Sequence, residues 1–439
     1  MSKDKKLADW LRNAPEWVFA LFAFSAAFCT YTCMYAFRKP FAVATFEGEM
    51  FWGVSYKILL VSGQVIGYMA SKFIGIGVVS GIRPEKRAGR ILTLVGISGI
   101  GLFLFAVVPA PYNILFLFVN GLPLGMVFGL VFSFLEGRKN TEVLAIGLSV
   151  TQIFSSGMVK SIGKYLLVEY GVSEYWMPVI TGLVFFGPLL LFVWMLRQLP
   201  PPSEEDIKLR TERKPMNALQ RRTLLRKHFT GLTLLVIAYI GFTTFRDFRD
   251  NFSAEIWTSL GRGSDAMVFT ETEIPIVLVV LAVVGLMAGI RNNMKAFMLN
   301  HALVIVGGLL TGLSAVFFQN RLISAEVWFT LSGLGLYLAY VPFNIMMFER
   351  MIAAFKSVGN VGFLMYIADS FGYLGSVGVL FYKNFSQASL SWLSFYINAS
   401  YALAGMSVIL VSLAAMYFIR KRRRYNGVGN ELELIPAGS

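Results

Sequence analysis

Long apolar segments separated by short polar loops make up most of this chain of 439 residues. A helix needs about 20 apolar residues to cross a bilayer, so each segment of that length is a candidate transmembrane helix. The apolar residues cover all faces of these segments, unlike those of amphipathic helices in soluble proteins. No segment alternates over strand length, as the wall of an outer-membrane barrel does. Twelve candidates lie near 17–41, 54–78, 90–109, 112–134, 144–167, 176–196, 230–257, 273–290, 298–318, 327–348, 359–382 and 392–419.

The composition also indicates a multi-pass membrane protein. Hydrophobic residues make up 56% of the chain and charged residues only 15%, whereas soluble domains carry about 25% charged residues. The mean hydropathy is +0.64. The first apolar segment is too long for a cleavable signal peptide, and no small-residue cleavage site follows it. We therefore expect an all-α membrane protein with twelve transmembrane helices.

The basic residues predict the orientation of these helices. With both termini and every even-numbered loop in the cytoplasm, 28 of the 39 Lys and Arg residues fall in cytoplasmic regions. Only Arg262, Arg321 and Lys383 fall in the opposite loops, as the positive-inside rule requires. The net charge of +14 is then explained by topology and contact with anionic lipids, and we expect no nucleic-acid binding. The short loops suit a bacterial inner (plasma) membrane.

A polar stretch at residues 197–229 divides the chain into two similar halves. Tyr31, Phe37 and Arg38 recur 208 residues later as Tyr239, Phe245 and Arg246. Internal repeats of this kind are typical of transporters with a binding site between the repeats. We predict an amino-terminal six-helix bundle (1–199), a cytoplasmic linker (200–229), a carboxy-terminal six-helix bundle (230–424) and a cytoplasmic tail (425–439).

The repeated arginines are candidates for anion binding. A charge near the bilayer centre costs about 2.5–3.5 kcal/mol even on mild insertion scales, so an arginine kept in each half points to a function. Arginine stays protonated and presents a planar fork that suits phosphate oxygens. Tyr31 and Tyr35 precede Arg38 by seven and three residues, and a continuous helix would place all three on one face. Lys72 lies well inside the second span, one turn after Tyr68.

Several of these segments resemble the major facilitator superfamily and, within it, the organophosphate:phosphate antiporters, which include the glycerol-3-phosphate and hexose-phosphate transporters. The resemblance rests on Tyr31 and Tyr35 with Ala36-Phe37-Arg38-Lys39-Pro40-Phe41, on Tyr68-Met69-Ala70-Ser71-Lys72-Phe73, on Tyr340-Val341-Pro342, and on Phe371-Gly372-Tyr373-Leu374-Gly375.

The resemblance implies a fold of two pseudo-symmetric six-helix bundles. It also implies that Arg38 and Arg246 hold the phosphate group of a substrate that is exchanged for inorganic phosphate. The cavity around them would be lined by Lys72, Tyr31, Tyr35, Tyr68, Tyr340 and Tyr373.

The chain departs from this family at several positions. The histidine of the family's fifth helix is absent from the region of Phe154. Gly81-Ile82-Arg83 stands where an Asp-Arg pair is usual, and Asp369 stands where a neutral residue is expected. Intramembrane ionisable residues are functional candidates by default. The candidates for coupling or gating are Asp250, Asp247, Arg249, Asp369 and Lys160.

A structural role for these charges is the alternative. Arg246 could pair with Asp250 and Arg249 with Asp247, since buried ion pairs can be purely structural. Arg38 could extend to the outer interface beside Lys39, and Lys39 itself is interpreted as a helix-end interface residue. Gly121, Gly125 and Gly129 form a small-residue stripe that favours close helix packing and carries no chemistry.

The leading hypothesis is a secondary transporter of a small phosphorylated or dianionic metabolite, in which two bundles rock around Arg38 and Arg246. The alternatives are a proton-coupled transporter of a carboxylate or similar anion and a transporter-like membrane sensor. We expect no enzyme, because no nucleophile–base pair, Walker motif or dinucleotide fingerprint is present. We expect no metal or cofactor and a monomer in contact with membrane lipids. Cys29 and Cys33 are interpreted as packing residues, and His228 and His301 have no partner that suggests catalysis.

Overall fold

A computed structural model describes residues 3–80, 82–136, 141–201, 218–357, 361–386 and 389–433. Most of the predicted linker (202–217), the end of the predicted tail (434–439) and Gly81 lie outside the described residues. The first half comprises α1 (Lys3–Asn13), α2 (Glu16–Tyr35), a 3₁₀ turn (Pro40–Val43), β1 (Met50–Phe51), β2 (Val54–Ser55), α3 (Tyr56–Ser80), α4 (Pro84–Val107), α5 (Ile114–Leu135), α6 (Thr141–Glu169) and α7 (Met177–Arg197).

The second half repeats this arrangement. It comprises α8 (Ala218–Asn251), α9 (Ser253–Ser259), α10 (Val268–Glu271), α11 (Ile274–Ala288), α12 (Asn293–Gln319), α13 (Ala325–Pro342) with a π segment (Phe343–Met347), α14 (Phe348–Ala354), α15 (Val361–Ser386), α16 (Trp392–Met406), a π segment (Ser407–Val411) and α17 (Ser412–Glu433). The seventh predicted span was too long, because α8 ends at Asn251 and α9 follows as a separate short helix.

Eleven helices of the described ranges are long and apolar enough to cross a membrane. The predicted span that is missing from these eleven is the fifth (144–167), which corresponds to α6; this helix has 29 residues but carries Gln152, Ser155, Ser156 and Lys160. Those polar residues lower its hydropathy without changing its place in the bundle. It packs against α2 and α7 in its own half and against α10 and α11 in the other. Helix α6 thus completes six long helices in the first half.

The helices run up and down, so the molecule has two ends. We call the end that carries the antiparallel pair β1–β2 the hairpin end, and the end that carries residues 198–201 and the start of α8 the linker end. At the hairpin end, Glu174 accepts hydrogen bonds from the backbone N–H groups of Thr45 (2.6 Å) and Phe46 (3.1 Å). The Tyr175 hydroxyl donates to Glu49 at 2.9 Å. Burial raises the pKa of Tyr175 to about 12, so this hydroxyl keeps its proton at neutral pH.

Helices α3 and α5 approach each other closely through glycines. A Cβ atom added at Gly67 would lie 2.3 Å from the carbonyl oxygen of Phe118, and one added at Gly121 would lie 2.3 Å from that of Gln64. A Cβ atom at Gly125 would lie 2.8 Å from the carbonyl oxygen of Tyr68. The interpretation of this stripe as a packing feature is confirmed for Gly121 and Gly125.

Polar contacts join the two halves at the hairpin end. Lys57 at the start of α3 forms a buried ion pair with Glu255 of α9. Asn384 of α15 accepts from the backbone N–H of Ser55 at 3.1 Å and donates to the carbonyl oxygen of Gly53 at 3.0 Å. Further inward, the hydroxyls of Ser161 and Thr270 lie 2.7 Å apart. These contacts close the hairpin end above the space between the halves.

Candidate anion site

A cavity of about 260 Å³ lies between the two halves. All eight residues that the sequence nominated for substrate binding line it, together with three of the five coupling candidates, Asp247, Asp250 and Asp369. The other two coupling candidates, Lys160 and Arg249, lie outside its lining. The complete lining is Tyr31, Tyr35, Arg38, Lys39, Tyr68, Lys72, Phe128, Ser149, Gln152, Arg246, Asp247, Asp250, Tyr337, Tyr340, Asn344, Met365, Asp369 and Tyr373.

Arg38 lies just beyond the end of α2, on a turn that is fixed by buried amides. Gln64 of α3 donates to the Arg38 carbonyl oxygen at 2.9 Å, and Asn120 of α5 donates to the Phe37 carbonyl oxygen at 2.8 Å. The guanidinium carbon lies 3.7 Å from the centre of the Tyr68 ring, a cation–π contact. Arg38 is only 7% exposed, so the interpretation that it extends to the membrane interface is wrong.

Arg38 has no carboxylate partner among the described residues. Its buried Nε atom also lacks a hydrogen-bond acceptor. A buried guanidinium without a counter-charge is costly unless an anion is bound. This environment makes Arg38 the strongest candidate anion ligand of the cavity.

Arg246 is already neutralised by a neighbour. Its Nε and NH2 atoms donate to one oxygen of Asp247 at 3.1 Å and 2.7 Å, and NH1 donates to the Tyr340 hydroxyl. The other oxygen of Asp247 accepts from Ser376 at 2.8 Å. The predicted pair of Arg246 with Asp250 is therefore wrong. The ion pair forms with Asp247, the next residue in the chain, instead.

Asp250 instead pairs with two lysines of the first half. Its carboxylate lies 2.5 Å from Lys39 and 2.9 Å from Lys160, and it also accepts from Ser156. Lys39 donates in addition to Asn251 at 3.0 Å. The interpretation of Lys39 as an interface residue is wrong, since the side chain is buried and lines the cavity.

Arg249 points away from the cavity and forms an ion pair with Glu273 at the start of α11. The guanidinium carbon lies 4.1 Å from the centre of the Phe329 ring. The predicted pair of Arg249 with Asp247 is wrong, because the helix directs these two side chains to different neighbours. Both Arg249 and Glu273 are buried, which is typical of a structural pair.

Lys72 and Asp369 form an ion pair between the halves, on α3 and α15. The second oxygen of Asp369 accepts from the Tyr239 hydroxyl at 2.6 Å. That hydroxyl lies 3.3 Å from the hydroxyl of Tyr340 and accepts from the Asn344 amide at 2.7 Å. A continuous chain of polar contacts therefore runs from Lys72 through Asp369, Tyr239 and Tyr340 to Arg246.

Several cavity residues were not predicted from the sequence. Tyr239, which lies behind the lining and donates to Asp369, was identified only as the repeat partner of Tyr31, and that relation was a usable signal for its position near the site. Tyr337 precedes Tyr340 by three residues on α13, which places both on one face of the helix. Gln152 and Ser149 have the same spacing on α6. Nothing in the sequence pattern singled out Asn344.

The site carries more positive than negative charge. We define the charge cluster as five cations and three carboxylates, which leaves a surplus of two positive charges. Lys72 and Arg246 each have one carboxylate, Lys39 and Lys160 share one, and Arg38 has none. The members of the charge cluster are Arg38, Lys39, Lys72, Lys160, Arg246, Asp247, Asp250 and Asp369.

The histidines and cysteines of the described residues do not form a metal-ligand cluster. No group of three or more His, Cys, Asp or Glu side chains there could hold a metal ion. His228 lies 3.1 Å from the Ser357 hydroxyl, and His301 lies 2.8 Å from the Phe297 carbonyl oxygen. Cys29 and Cys33 are free cysteines.

One family and several solved structures are similar to this chain. The sequence matches the family described as "Family of unknown function (DUF5690)" over residues 40–421. No curated protein matches it.

The solved structures share the fold at low sequence identity. The nucleoside transporter NupG has a TM-score of 0.60 and 16% identity, covering 91% of this chain and 98% of that one. The peptide transporter POT in complex with sulfate has a TM-score of 0.59 and 13% identity, covering 94% and 98%. A D-xylose-proton symporter has a TM-score of 0.60 and 15% identity, covering 91% and 96%. The predicted major facilitator fold with twelve helices in two bundles is confirmed.

Proposed function

This chain belongs to the DUF5690 family, and we propose that it is a secondary transporter of a small phosphorylated or otherwise dianionic metabolite. The observation that carries this proposal is the charge cluster, whose surplus of two positive charges lies in the cavity lining and, through Lys160 bound to Asp250, directly behind it. One bound dianion neutralises that surplus. A neutral or cationic substrate, or an anion of a different charge, would leave a net charge in this low-dielectric site.

Phosphate esters suit the groups that face the cavity. Arg38 offers a fork without a carboxylate partner, and Arg246 offers a second fork whose position is fixed by Asp247 and Tyr340. Guanidinium groups recognise phosphate oxygens by paired, charge-assisted hydrogen bonds. The rings of Tyr31, Tyr35 and Tyr373 supply apolar area for a short carbon chain. A volume of about 260 Å³ favours a substrate of a few carbons, because pockets for drug-sized ligands have about 300–1,000 Å³.

Transport would proceed by rocking of the two halves around the cavity. The contacts of Lys57 with Glu255 and of Asn384 with Ser55 close the hairpin end and would have to separate in the opposite state. Exchange for inorganic phosphate follows from the resemblance to the organophosphate antiporters. The basic loops favour an inner-membrane protein with both termini in the cytoplasm and the hairpin end outside. A monomer is sufficient, since both arginines come from one chain.

Purified protein in liposomes loaded with inorganic phosphate tests this proposal. We expect uptake of labelled phosphate and its competition by phosphate esters. Arg38→Lys and Arg246→Lys should each reduce uptake about 10- to 100-fold, because lysine cannot form the paired contact and charged hydrogen bonds contribute about 1.5–3 kcal/mol. Arg262→Lys is the control, since that arginine forms exposed ion pairs with Asp265 and Glu326 at the hairpin end.

The outcome that contradicts the proposal is parental transport of phosphate by both cavity variants. Stabilisation of the protein by phosphate in a thermal-shift assay, without flux in liposomes, would instead favour a sensor. Thermal-shift measurements on the variants also separate loss of binding from loss of folding.

A further inference from the structure

The Lys72–Asp369 ion pair joins the halves at one depth in the membrane. Lys72 lies eight residues before the end of α3 at Ser80, and Asp369 lies eight residues after the start of α15 at Val361. Because α3 and α15 run in opposite directions, these equal offsets from the linker end place the pair on one level. The Lys72 side chain is 27% exposed, more than any other lysine or arginine of the charge cluster paired to a carboxylate. A soluble anion in the cavity therefore reaches Lys72 readily.

Asp369 is held in place by a partner other than Lys72. The Tyr239 hydroxyl donates to its second oxygen at 2.6 Å, and Asn344 donates to the same hydroxyl at 2.7 Å. The Asp369 carboxylate thus keeps a hydrogen bond when Lys72 turns to another anion. Tyr340, which accepts from Arg246, lies 3.3 Å from Tyr239. The carboxylate is consequently connected to the arginine expected to hold the substrate.

We propose that Asp369 is a tethered counter-anion that occupies Lys72 in the empty transporter and gives way to the transported anion in the loaded one. This inference rests on the proposed function and adds a consequence to it. The empty transporter can then change its orientation without a bound anion, so exchange is not obligatory and net uptake occurs. The resemblance alone implies exchange, and Asp369 is one of the positions at which the chain departs from that family.

The physical reason for this role of Asp369 lies in the occluded state, which the transporter must adopt each time it changes its orientation. Closing the cavity at both ends removes water from its charges, and a buried charge without a partner is then strongly unfavourable. Without Asp369 the charge cluster would carry a surplus of three positive charges instead of two. The remaining surplus is spread out, since Arg38 rests on the Tyr68 ring and two lysines share Asp250. Lys72 lies farther from its rings, 5.7 Å from the centre of Tyr68 and 5.5 Å from that of Tyr373, and Asp369 is its carboxylate partner among the described residues.

Two flux assays on the same proteoliposomes test the proposal, with labelled inorganic phosphate as the probe. Exchange is measured with phosphate inside the liposomes, and net uptake is measured with phosphate-free buffer inside. The parent should perform both. Asp369→Asn should retain exchange within about threefold but lose net uptake at least about tenfold, because Lys72 pairs with the bound anion during exchange and is left without a partner only in the empty return step. Asp369→Glu should retain both.

Matched variants separate the ion pair from general damage. Asp265→Asn makes the same chemical change at an exposed loop pair and should behave as the parent. The double variant Lys72→Gln/Asp369→Asn restores the surplus of two, so net uptake should recover several-fold relative to Asp369→Asn. Retained exchange in Asp369→Asn would show that this variant is folded. If it does not fold, net uptake is compared with exchange in the double variant and in Asp369→Glu instead.

Three results would overturn the inference. The first is a parent that exchanges phosphate but shows no net uptake, which leaves the proposed function intact. The second is an Asp369→Asn variant with parental net uptake. The third is net uptake in the parent accompanied by proton uptake that Asp369→Asn abolishes, since Asp369 would then carry a proton. A parent without phosphate flux in either assay contradicts the proposed function itself.

Discussion

At the level of single residues, the two repeated arginines have unequal surroundings. Arg246 is neutralised by Asp247 and held by Tyr340, whereas Arg38 lies against the Tyr68 ring and has no carboxylate partner in the described part of the chain. The two repeated positions therefore have the same residue type but different electrostatic surroundings. Arg38 supplies the free positive charge, and Arg246 supplies a positioned fork.

The ring of Tyr68 should contribute to anion binding through Arg38. Tyr68→Phe keeps the cation–π contact and should leave phosphate affinity within about threefold of the parent, whereas Tyr68→Leu should weaken it about 10-fold, as expected for a contact of about 1–2 kcal/mol. Thermal shift as a function of phosphate concentration measures both. Equal affinities of the Phe and Leu variants would contradict this role.

The sequence identified the residues of the site better than their partners. The repeat, the intramembrane arginines and the resemblance nominated eight lining residues, and all eight face one cavity. Each predicted ion pair within α8 was wrong, because Arg249 reaches Glu273 of α11 and Asp250 reaches lysines of the other half. Spacing along one helix limits which neighbours are possible. The choice among carboxylates and lysines of other helices depends on tertiary packing, which no local pattern records.

At the level of elements, close packing of α3 against α5 sets the position of two site residues. Tyr68 and Lys72 lie on α3, while the contact itself runs through Gly67 and Gly121. The apolar pattern predicted both helices, and the glycine stripe predicted a close contact. Only the structure identifies α3 as the partner of that stripe. A shift of α3 would move the cation–π ring and the bridging lysine together.

Gly121→Ala should destabilise the protein, because its Cβ atom would overlap the Gln64 carbonyl oxygen. Overpacking of this kind costs about 1–3 kcal/mol, and the melting temperature in detergent should fall. Gly96→Ala in α4 is the matched control, since no atom lies within 4 Å of its added Cβ. That variant should be neutral or more stable by up to about 1 kcal/mol. Equal melting temperatures for the two variants would contradict the packing argument.

At the level of the whole molecule, the two halves meet as a pair of units with a polar seal at the hairpin end. The seal combines one buried ion pair, Lys57–Glu255, with the backbone contacts of Asn384. These interactions are individually breakable and lie far along the helices from the Lys72–Asp369 bridge. A rocking motion of the proposed kind would therefore break the seal at one end without acting directly on the bridge.

A cross-link across this seal should stop transport. Ser55→Cys/Asn384→Cys, made in a Cys29→Ala/Cys33→Ala background that removes the two free cysteines, places thiols where the side chain of Asn384 now meets the Ser55 backbone at 3.1 Å. Oxidation should abolish phosphate exchange, and reduction should restore it. Single-cysteine variants treated identically are the controls. Undiminished exchange in fully cross-linked protein would show that the hairpin end need not open.

The polar character of helix α6 affects the transmembrane topology that is inferred for this protein. Hydropathy and length alone identify eleven spans in the described residues. An odd number of spans would place the two chain ends on opposite sides of the membrane. Polar residues of α6 lower its hydropathy below that of the other spans. Ser149 and Gln152 line the cavity, and Lys160 forms an ion pair with Asp250 of the other half. With α6 included, α2 begins and α17 ends at the linker end, so a reporter fused to either terminus should light up on the same side of the membrane.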